Sequence, residues 1–193
     1  MAVSTRFEKA LVFAARLHAD QRRKGTPVPY ISHLLIVAGM VLEQGGDEDA
    51  AIAALLHDAV EDRGGKPTLA KIRRRFGDRV AEIVEGCTDA FTTPKPPWRK
   101  RKEAYLAHLP QASAAVRLVA AADKLHNARA TVADYRALGE AVWGHFNGGR
   151  EGTLWFYRAM VDALRAGGSF PVVEELDRVV SELERLASAR GDT

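Results

Sequence analysis

The stretch 50–62, AAIAALLHDAVED, decides how this chain is read. Ala50 to Leu56 is apolar on every side, which predicts a helix buried all round rather than one with a wet face. It runs straight into His57, Asp58, Glu61 and Asp62. Removing a carboxylate from water without a partner costs on the order of several kcal/mol, and a metal cation is the simplest relief. Asp58, Glu61 and Asp62 stand at i, i+3 and i+4 and so share a helix face, with His57 four residues before Glu61. Adjacent residues point about 100° apart around a helix, so His57 and Asp58 both reach an ion lying between their directions. Taken alone, the stretch has a competing reading as a solvated helix end with fortuitous acids.

Two ligands do not make a tight site, and two further residues complete the set. His33 follows a proline-containing loop, and Asp123 follows the apolar run Leu118-Val119-Ala120-Ala121-Ala122. Two imidazoles and two carboxylates form a mixed nitrogen and oxygen set that favours Mn²⁺ or Fe²⁺, with Zn²⁺, Co²⁺, Ni²⁺ and Mg²⁺ matching less well. No thiolate accompanies them, which argues against a structural zinc site. Open coordination positions would hold water and a phosphoryl oxygen.

The remaining composition narrows the class. A length of 193 residues fits one domain, or a domain with an extension, and can bury a sizeable core without staples. Hydrophobic content of 47% with 27% charged residues excludes a disordered chain. The single cysteine, Cys87, forms no internal disulfide and fits a reducing cytoplasm. The N-terminus MAVSTRFEKA lacks an apolar signal region, and no run approaches the roughly 18 apolar residues of a membrane span. A net charge of +3 suits a phosphate-rich ligand.

The patterning is helical nearly throughout, so the fold class is all-α, with roughly eight to ten helices. Thr5 and Glu8 read as a capping box for a first helix ending near Asp20, and 21–30 reads as a loop broken by one glycine and two prolines. Ser32 reads as the cap of a second helix and Asp47 as the cap of a third that runs to Gly64-Gly65. Pro67 opens a short helix to Phe76, and another follows from Asp78 to about Cys87. The stretch 88–97 reads as the longest loop. Helices are then expected over about 98–109, 112–130, 134–145, 152–164 and 171–189. The last carries a 3.6-residue stripe of Val172, Val173, Leu176, Val179, Val180, Leu183 and Leu186, and only the tail from Ala187 is expected to fray.

The order His33…His57-Asp58…Asp123 resembles the HD superfamily of metal-dependent phosphohydrolases. The flanking residues sharpen the likeness. Arg23-Lys24, the run Pro29-Tyr30-Ile31-Ser32-His33, the run Ala54 to Asp62 and the run Ala122 to Arg129 look like the hydrolase domain of bifunctional alarmone synthetase/hydrolases and the small stand-alone alarmone hydrolases. The likeness covers about 7–131, with C-terminal helices over about 134–189, and implies a single HD-type domain over 1–193. It implies one Mn²⁺ held by His33, His57, Asp58 and Asp123, and Glu61 and Asp62 as catalytic carboxylates beside the attacking water. It places Arg23 and Lys24 around the purine and its phosphates and Asn127 near the nucleoside. The implied reaction removes pyrophosphate from the 3′ position of guanosine tetra- or pentaphosphate. Metal-assisted water activation with a carboxylate taking the proton agrees with that division, and Glu61 is the first choice for that base.

Other residues are weighed against ordinary roles. His126, i+3 from Asp123, reads as a packing residue or a support beside the site, and His18 as a satisfied core histidine. His108 and His145 belong to no constellation. The basic run 95–102 around Trp98 reads equally well as a rim meeting ligand phosphates and as a solvated helix start. One aromatic in one basic patch is thin support for a nucleic-acid groove. Trp155, Phe156 and Tyr157 read as core or helix-interface residues. The chain departs from its likeness in a longer loop after Lys24 and in Ala130, where threonine is common. The expected partner is therefore a small nucleotide, with no membrane, and a homo-oligomer is compatible with the sequence. An HD phosphohydrolase of another nucleotide and a non-catalytic nucleotide-binding regulator remain as alternative readings, the intact Glu61-Asp62 pair arguing against the last.

Overall fold

The structure is a computed structural model that describes residues 3–92, 94–168 and 170–189. Among these the elements are ten α-helices and two 3₁₀ turns, and strand pairing is limited to a bridge between Arg22 and Pro29. In chain order the helices are α1 (Thr5–Leu17), α2 (Ile31–Glu43), α3 (Glu48–Leu56), α4 (Ala59–Asp62), α5 (Gly65–Phe76), α6 (Asp78–Cys87), α7 (Trp98–His108), α8 (Ala114–Leu138), α9 (Gly149–Ala166) and α10 (Pro171–Ala189).

Helix α3 is the hub. Its N-terminus is capped by Asp47, whose carboxylate accepts from the Ala50 amide at 2.9 Å. Every residue from Ala50 to Leu56 is buried, as the sequence predicts. Four of those seven are alanines, and small side chains on all faces let α1, α2, α6 and α8 pack directly around this short rod. Helix α8 is the second axis. It packs on α2, α3, α6, α9 and α10, so it carries the central core and also joins the C-terminal helices to it. The stripe of α10 lies against α8 and α9, with Val172, Val173, Leu176, Val180 and Leu183 buried and Val179 and Leu186 half-buried.

Several element ends differ from the sequence reading. Ser4, not Thr5, caps α1, its hydroxyl accepting from the Arg6 amide at 3.1 Å. Ser32 does not cap α2; the helix already begins at Ile31, and the Ser32 hydroxyl donates back to the Pro29 carbonyl at 2.9 Å. Pro67 sits third in α5 rather than opening it. Helix α8 continues to Leu138 because Ala128, Thr131, Val132 and Tyr135 extend its buried side, and Gly139 ends it with φ +61°. The helix expected over 134–145 is therefore the end of α8 followed by a 3₁₀ turn, Gly139–His145. Helix α10 holds to Ala189, further than the expected fraying point. Thr93 of the 88–97 loop and the last four residues of the tail lie outside the described residues.

The main difference falls at the centre. The third helix does not run to Gly64 as one rod; α3 stops at Leu56 and α4 restarts at Ala59. The polar pair His57-Asp58 occupies that break, where helix backbone groups lose their regular partners.

Leu55 is fully buried in α3, whereas Leu138 at the end of α8 is half exposed. Leu55→Ala is expected to lower unfolding free energy by about 2–5 kcal/mol in urea titrations, and Leu138→Ala to change it by less than about 0.5 kcal/mol.

Candidate metal centre and adjoining cleft

Three helices deliver the polar cluster to one point. His33 enters from the first turn of α2, His57 and Asp58 from the break between α3 and α4, and Asp123 from the middle of α8. Both histidines are buried, His33 completely. The Nε2 atom of His57 lies 3.0 Å from Asp58 Oδ2 and 3.6 Å from Asp123 Oδ1. The Nε2 atom of His33 lies 3.2 Å from Asp123 Oδ1 and 3.6 Å from Asp58 Oδ2.

The opposite ring nitrogens fix the orientation. His57 Nδ1 donates to the Ala54 carbonyl at 2.8 Å, using an oxygen that the helix break leaves over. His33 Nδ1 meets His126 Nδ1 at 2.7 Å. Burial, then the neighbouring His33 and Arg23, hold the His126 imidazole down to about 4, so it stays neutral and its Nδ1 accepts the hydrogen bond from His33 Nδ1. Both Nε2 atoms then point into the cluster, and both are buried without a hydrogen-bond partner. Buried polar atoms are rarely left orphaned. Ligand atoms of His33, His57 and Asp58 lie within 4.8 Å of one another, the spacing at which groups share one cation. The residues present therefore fit a divalent metal ion.

Charge supports the fit. Burial alone would lower the His57 imidazole, but Asp58 and Asp123 hold it well above its usual value. Burial would likewise raise the two carboxyls, yet His57 and His33 hold Asp58 well below the ordinary range, and Lys124 with the histidines does the same for Asp123. The cluster favours two ionised carboxylates with a compensating positive charge between them. Outer groups anchor those carboxylates. The Tyr30 hydroxyl donates to Asp58 Oδ2 at 2.5 Å, Asn127 Nδ2 donates to Asp123 Oδ1 at 2.6 Å, and Lys124 pairs with Asp123 Oδ2.

A cleft of about 670 Å³ adjoins the cluster. Tyr30, Lys124, His126 and Asn127 form its near side, and Arg23 and Lys24 line it from the loop before α2. Arg23 Nη2 donates to Asn127 Oδ1 at 2.9 Å, so a chain of contacts runs from the cleft through Asn127 to Asp123. Phe146, Phe156 and Trp98 supply the aromatic wall. Lys24 lies 6.0 Å from the Phe146 ring centre, and Lys102 and Lys124 lie 4.8 and 5.9 Å from that of Phe156. Cations beside planar faces suit a ligand that is both aromatic and polyanionic.

The residues singled out from the sequence divide into three sets, the first being the cluster of His33, His57, Asp58 and Asp123. Arg23, Lys24 and Asn127 line the cleft, whereas Glu61 and Asp62 do not. Glu61 Oε1 accepts from Lys95 at 2.7 Å, and Asp62 Oδ2 accepts from Gln21 at 2.8 Å. Burial, reinforced by Asp89, pushes the Glu61 carboxyl above its ordinary value against the pull of Lys95.

Sequence reasoning missed several lining residues. His145 lines the cleft and packs against the backbone of Gly25, where a Cβ would come within 2.9 Å of its ring. Phe156 and Tyr157 serve the core and the cleft wall at once. The basic run divides between its two readings, with Trp98 and Lys102 at the cleft and Lys95 on Glu61. Trp98 and Phe156 come from α7 and α9, which pack on each other, an approach that local spacing does not mark.

An all-helical frame around a His, His-Asp, Asp cluster defines a class, the HD-domain proteins. The chain belongs to the HD domain family, whose model matches residues 10–154. It is 44% identical over 124 residues to the guanosine-3′,5′-bis(diphosphate) 3′-pyrophosphohydrolase MESH1 of Xenopus tropicalis, covering 63% of this chain and 66% of that one. The Homo sapiens MESH1 is 41% identical over the same length and coverage. The enzyme of that activity from Aquifex aeolicus is 48% identical over 81 residues, 42% of this chain and 11% of that one. The match thus spans slightly less than two thirds of the MESH1 relatives. A solved structure described as a metazoan ortholog of SpoT that hydrolyzes ppGpp superposes with a TM-score of 0.78 at 28% identity, covering 94% of this chain and 97% of that one. A second, lmo0812 from Listeria monocytogenes EGD-e, has a TM-score of 0.70 at 29% identity, covering 78% and 97%.

Asp58→Ala is expected to abolish tight binding of a divalent ion in calorimetric titrations of the metal-stripped protein. His126→Ala, which removes only the support of His33, is expected to weaken it about 10- to 100-fold.

Proposed function

We propose that this protein is a metal-dependent 3′-pyrophosphohydrolase of guanosine tetra- and pentaphosphate that releases pyrophosphate with GDP or GTP. The observation that carries the reading is the pair of buried, partnerless imidazole nitrogens between two ionised carboxylates, beside a cleft lined by cations and aromatic rings. The named activity of the MESH1 relatives and of the superposed ortholog supports the substrate.

In this reading His33, His57, Asp58 and Asp123 hold one ion. The mixed nitrogen and oxygen set favours Mn²⁺, with Fe²⁺, Zn²⁺, Co²⁺, Ni²⁺ or Mg²⁺ as substitutes. When bound, the ion polarises phosphoryl oxygen and acidifies water. Glu61 takes the proton of the attacking water, and Asp62, one residue on, orients that water. The water oxygen bonds to the 3′ phosphorus, the bond from that phosphorus to the 3′ oxygen breaks to free pyrophosphate, and the 3′ oxygen takes a proton from solvent while Glu61 returns its own to solvent. Arg23 and Lys24 bind purine and phosphates, with the Arg23 guanidinium already 5.9 Å from the Tyr30 ring centre. Asn127 holds Arg23 and Asp123 together, so ligand position is tied to the metal cluster. The same reading treats 1–193 as one HD-type domain, since α9 and α10 pack on α8 and α9 supplies part of the cleft wall. It places the protein in the cytoplasm; among the described residues no helix is long and apolar enough to cross a membrane.

A second reading, hydrolysis of another nucleotide by the same centre, is favoured by the cleft surface itself. Thr26 and Val28 from the long loop, and Ala130 from α8, where the chain departs from its likeness, all line the cleft. Incubation of Mn²⁺-loaded protein with guanosine tetraphosphate, its adenosine analogue and ordinary nucleotides separates the two. Pyrophosphate released from the guanosine compound in preference to the others is the expected result. Orthophosphate from simple nucleotides alone would support the second reading, and saturable binding without turnover would leave only a binding protein.

Glu61→Gln is expected to keep the metal and lose about 10²- to 10⁴-fold in kcat. The raised Glu61 carboxyl also sets a pH dependence. A base works only when ionised, so kcat should fall as pH drops through its value. That acid limb is expected above the ordinary glutamate range, and its disappearance from the residual rate of Glu61→Gln checks the assignment.

A further inference from the structure

Beside the acid pair lies a charged cluster that the metal centre does not use. Lys95 Nζ is 2.7 Å from Glu61 Oε1 and 3.7 Å from Asp62 Oδ1, so one ammonium spans both acids. Arg101, nearly buried, comes within 3.6 Å of Glu61 Oε1 but is committed to the buried Asp89 carboxylate. Lys102 takes the other Asp89 oxygen at 2.7 Å. Arg101 Nε also donates to the Pro96 carbonyl at 3.1 Å, pinning the residue next to Lys95. Asp89 and Pro96 thus tie the two ends of the 88–97 loop to the start of α7, and Lys95 projects from that tied loop onto the acids.

The arrangement answers an electrostatic problem. Glu61 lies in the field of Asp89 and Asp58, and among the described residues Lys95, Lys102 and Arg101 oppose them. Neighbouring carboxylates suppress one another's ionisation, and a protonated Glu61 cannot accept a proton. Arg101 and Lys102 are largely spent on Asp89, which leaves Lys95 as the cation serving the pair.

We propose that Lys95 is a positioning residue for Glu61 and Asp62, holding both carboxylates in place, with the Asp89–Arg101 pair setting the loop from which it reaches. The inference rests on the role given to the two acids in the proposed function. Removing the ammonium should raise the Glu61 carboxyl, so the acid limb of kcat should move to higher pH.

The test compares Lys95→Met, which keeps the stem without the charge, with Lys95→Arg. Lys95→Met is expected to lower kcat about tenfold at neutral pH, to change KM less than about threefold, and to shift the acid limb upward by about one pH unit. Lys95→Arg should recover most of the rate. Carboxyl-¹³C titration of metal-free protein, with the Glu61 signal assigned by its loss in Glu61→Gln, should show the same upward shift in Lys95→Met. A raised KM with kcat and its pH profile unmoved would overturn the proposal and make Lys95 a phosphate contact. Unchanged kinetics with an unmoved Glu61 midpoint would reduce it to a surface ion pair. If the wild type hydrolyses no alarmone the proposed function fails, and the Glu61 midpoint still decides the role of Lys95.

Discussion

The rest of the structure depends on one constraint, the burial of two imidazoles and two carboxylates where α2, α8 and the α3–α4 break meet. Nothing in an apolar core satisfies such a group unless its outer atoms are bound and its inner atoms share a cation. The chain meets the first condition in full. His57 turns its Nδ1 to Ala54, His33 to His126, Asp58 takes the Tyr30 hydroxyl, and Asp123 takes Asn127 and Lys124. What remains inward is a pair of Nε2 atoms and carboxylate oxygens that fit a metal ion. The alanine-rich α3 follows from the same constraint, because only a thin, featureless rod lets four helices approach closely enough to deliver these ligands.

The break after Leu56 links architecture to chemistry. The Asp62 amide still bonds the Asp58 carbonyl at 3.0 Å, so the acids stand one turn beyond the ligands, which gather in the cluster while the acids meet Lys95 and Gln21. Asn127 and Tyr30 then stand between the cluster and the cleft, each touching a cluster carboxylate on one side and lining the cleft on the other. A ligand in the cleft is thereby registered against the cluster through two hydrogen bonds rather than through one long loop.

Much of this was legible in the residues. The apolar run 50–56 announced the central helix, and the acids following it announced the buried charge. Asp123 was visible for the same reason, as a charge inside Leu118–Ala122. What stayed hidden was tertiary. The helix break at His57-Asp58 has no glycine or proline to mark it, since both residues keep near-helical backbone angles. The true extent of α8 was obscured by its amphipathic change near Ala130, where burial passes from the central core to the contact with α10. His145, Phe156 and Tyr157 joined the cleft only because α9 and the 3₁₀ turn before it fold back over the loop at Gly25, a long-range approach that local spacing does not encode. Lys95 could be recognised as charged but not as the partner of Glu61, 34 residues away.

The central claim is that the buried cluster is a single-ion centre. Anomalous diffraction from crystals loaded with Mn²⁺ tests it most directly. One peak is expected within coordination distance of the Nε2 atoms of His33 and His57, with Asp58 and Asp123 oxygens completing the set. A loaded crystal with no peak between these four residues, or with the ion bound instead by Glu61 and Asp62, would contradict it.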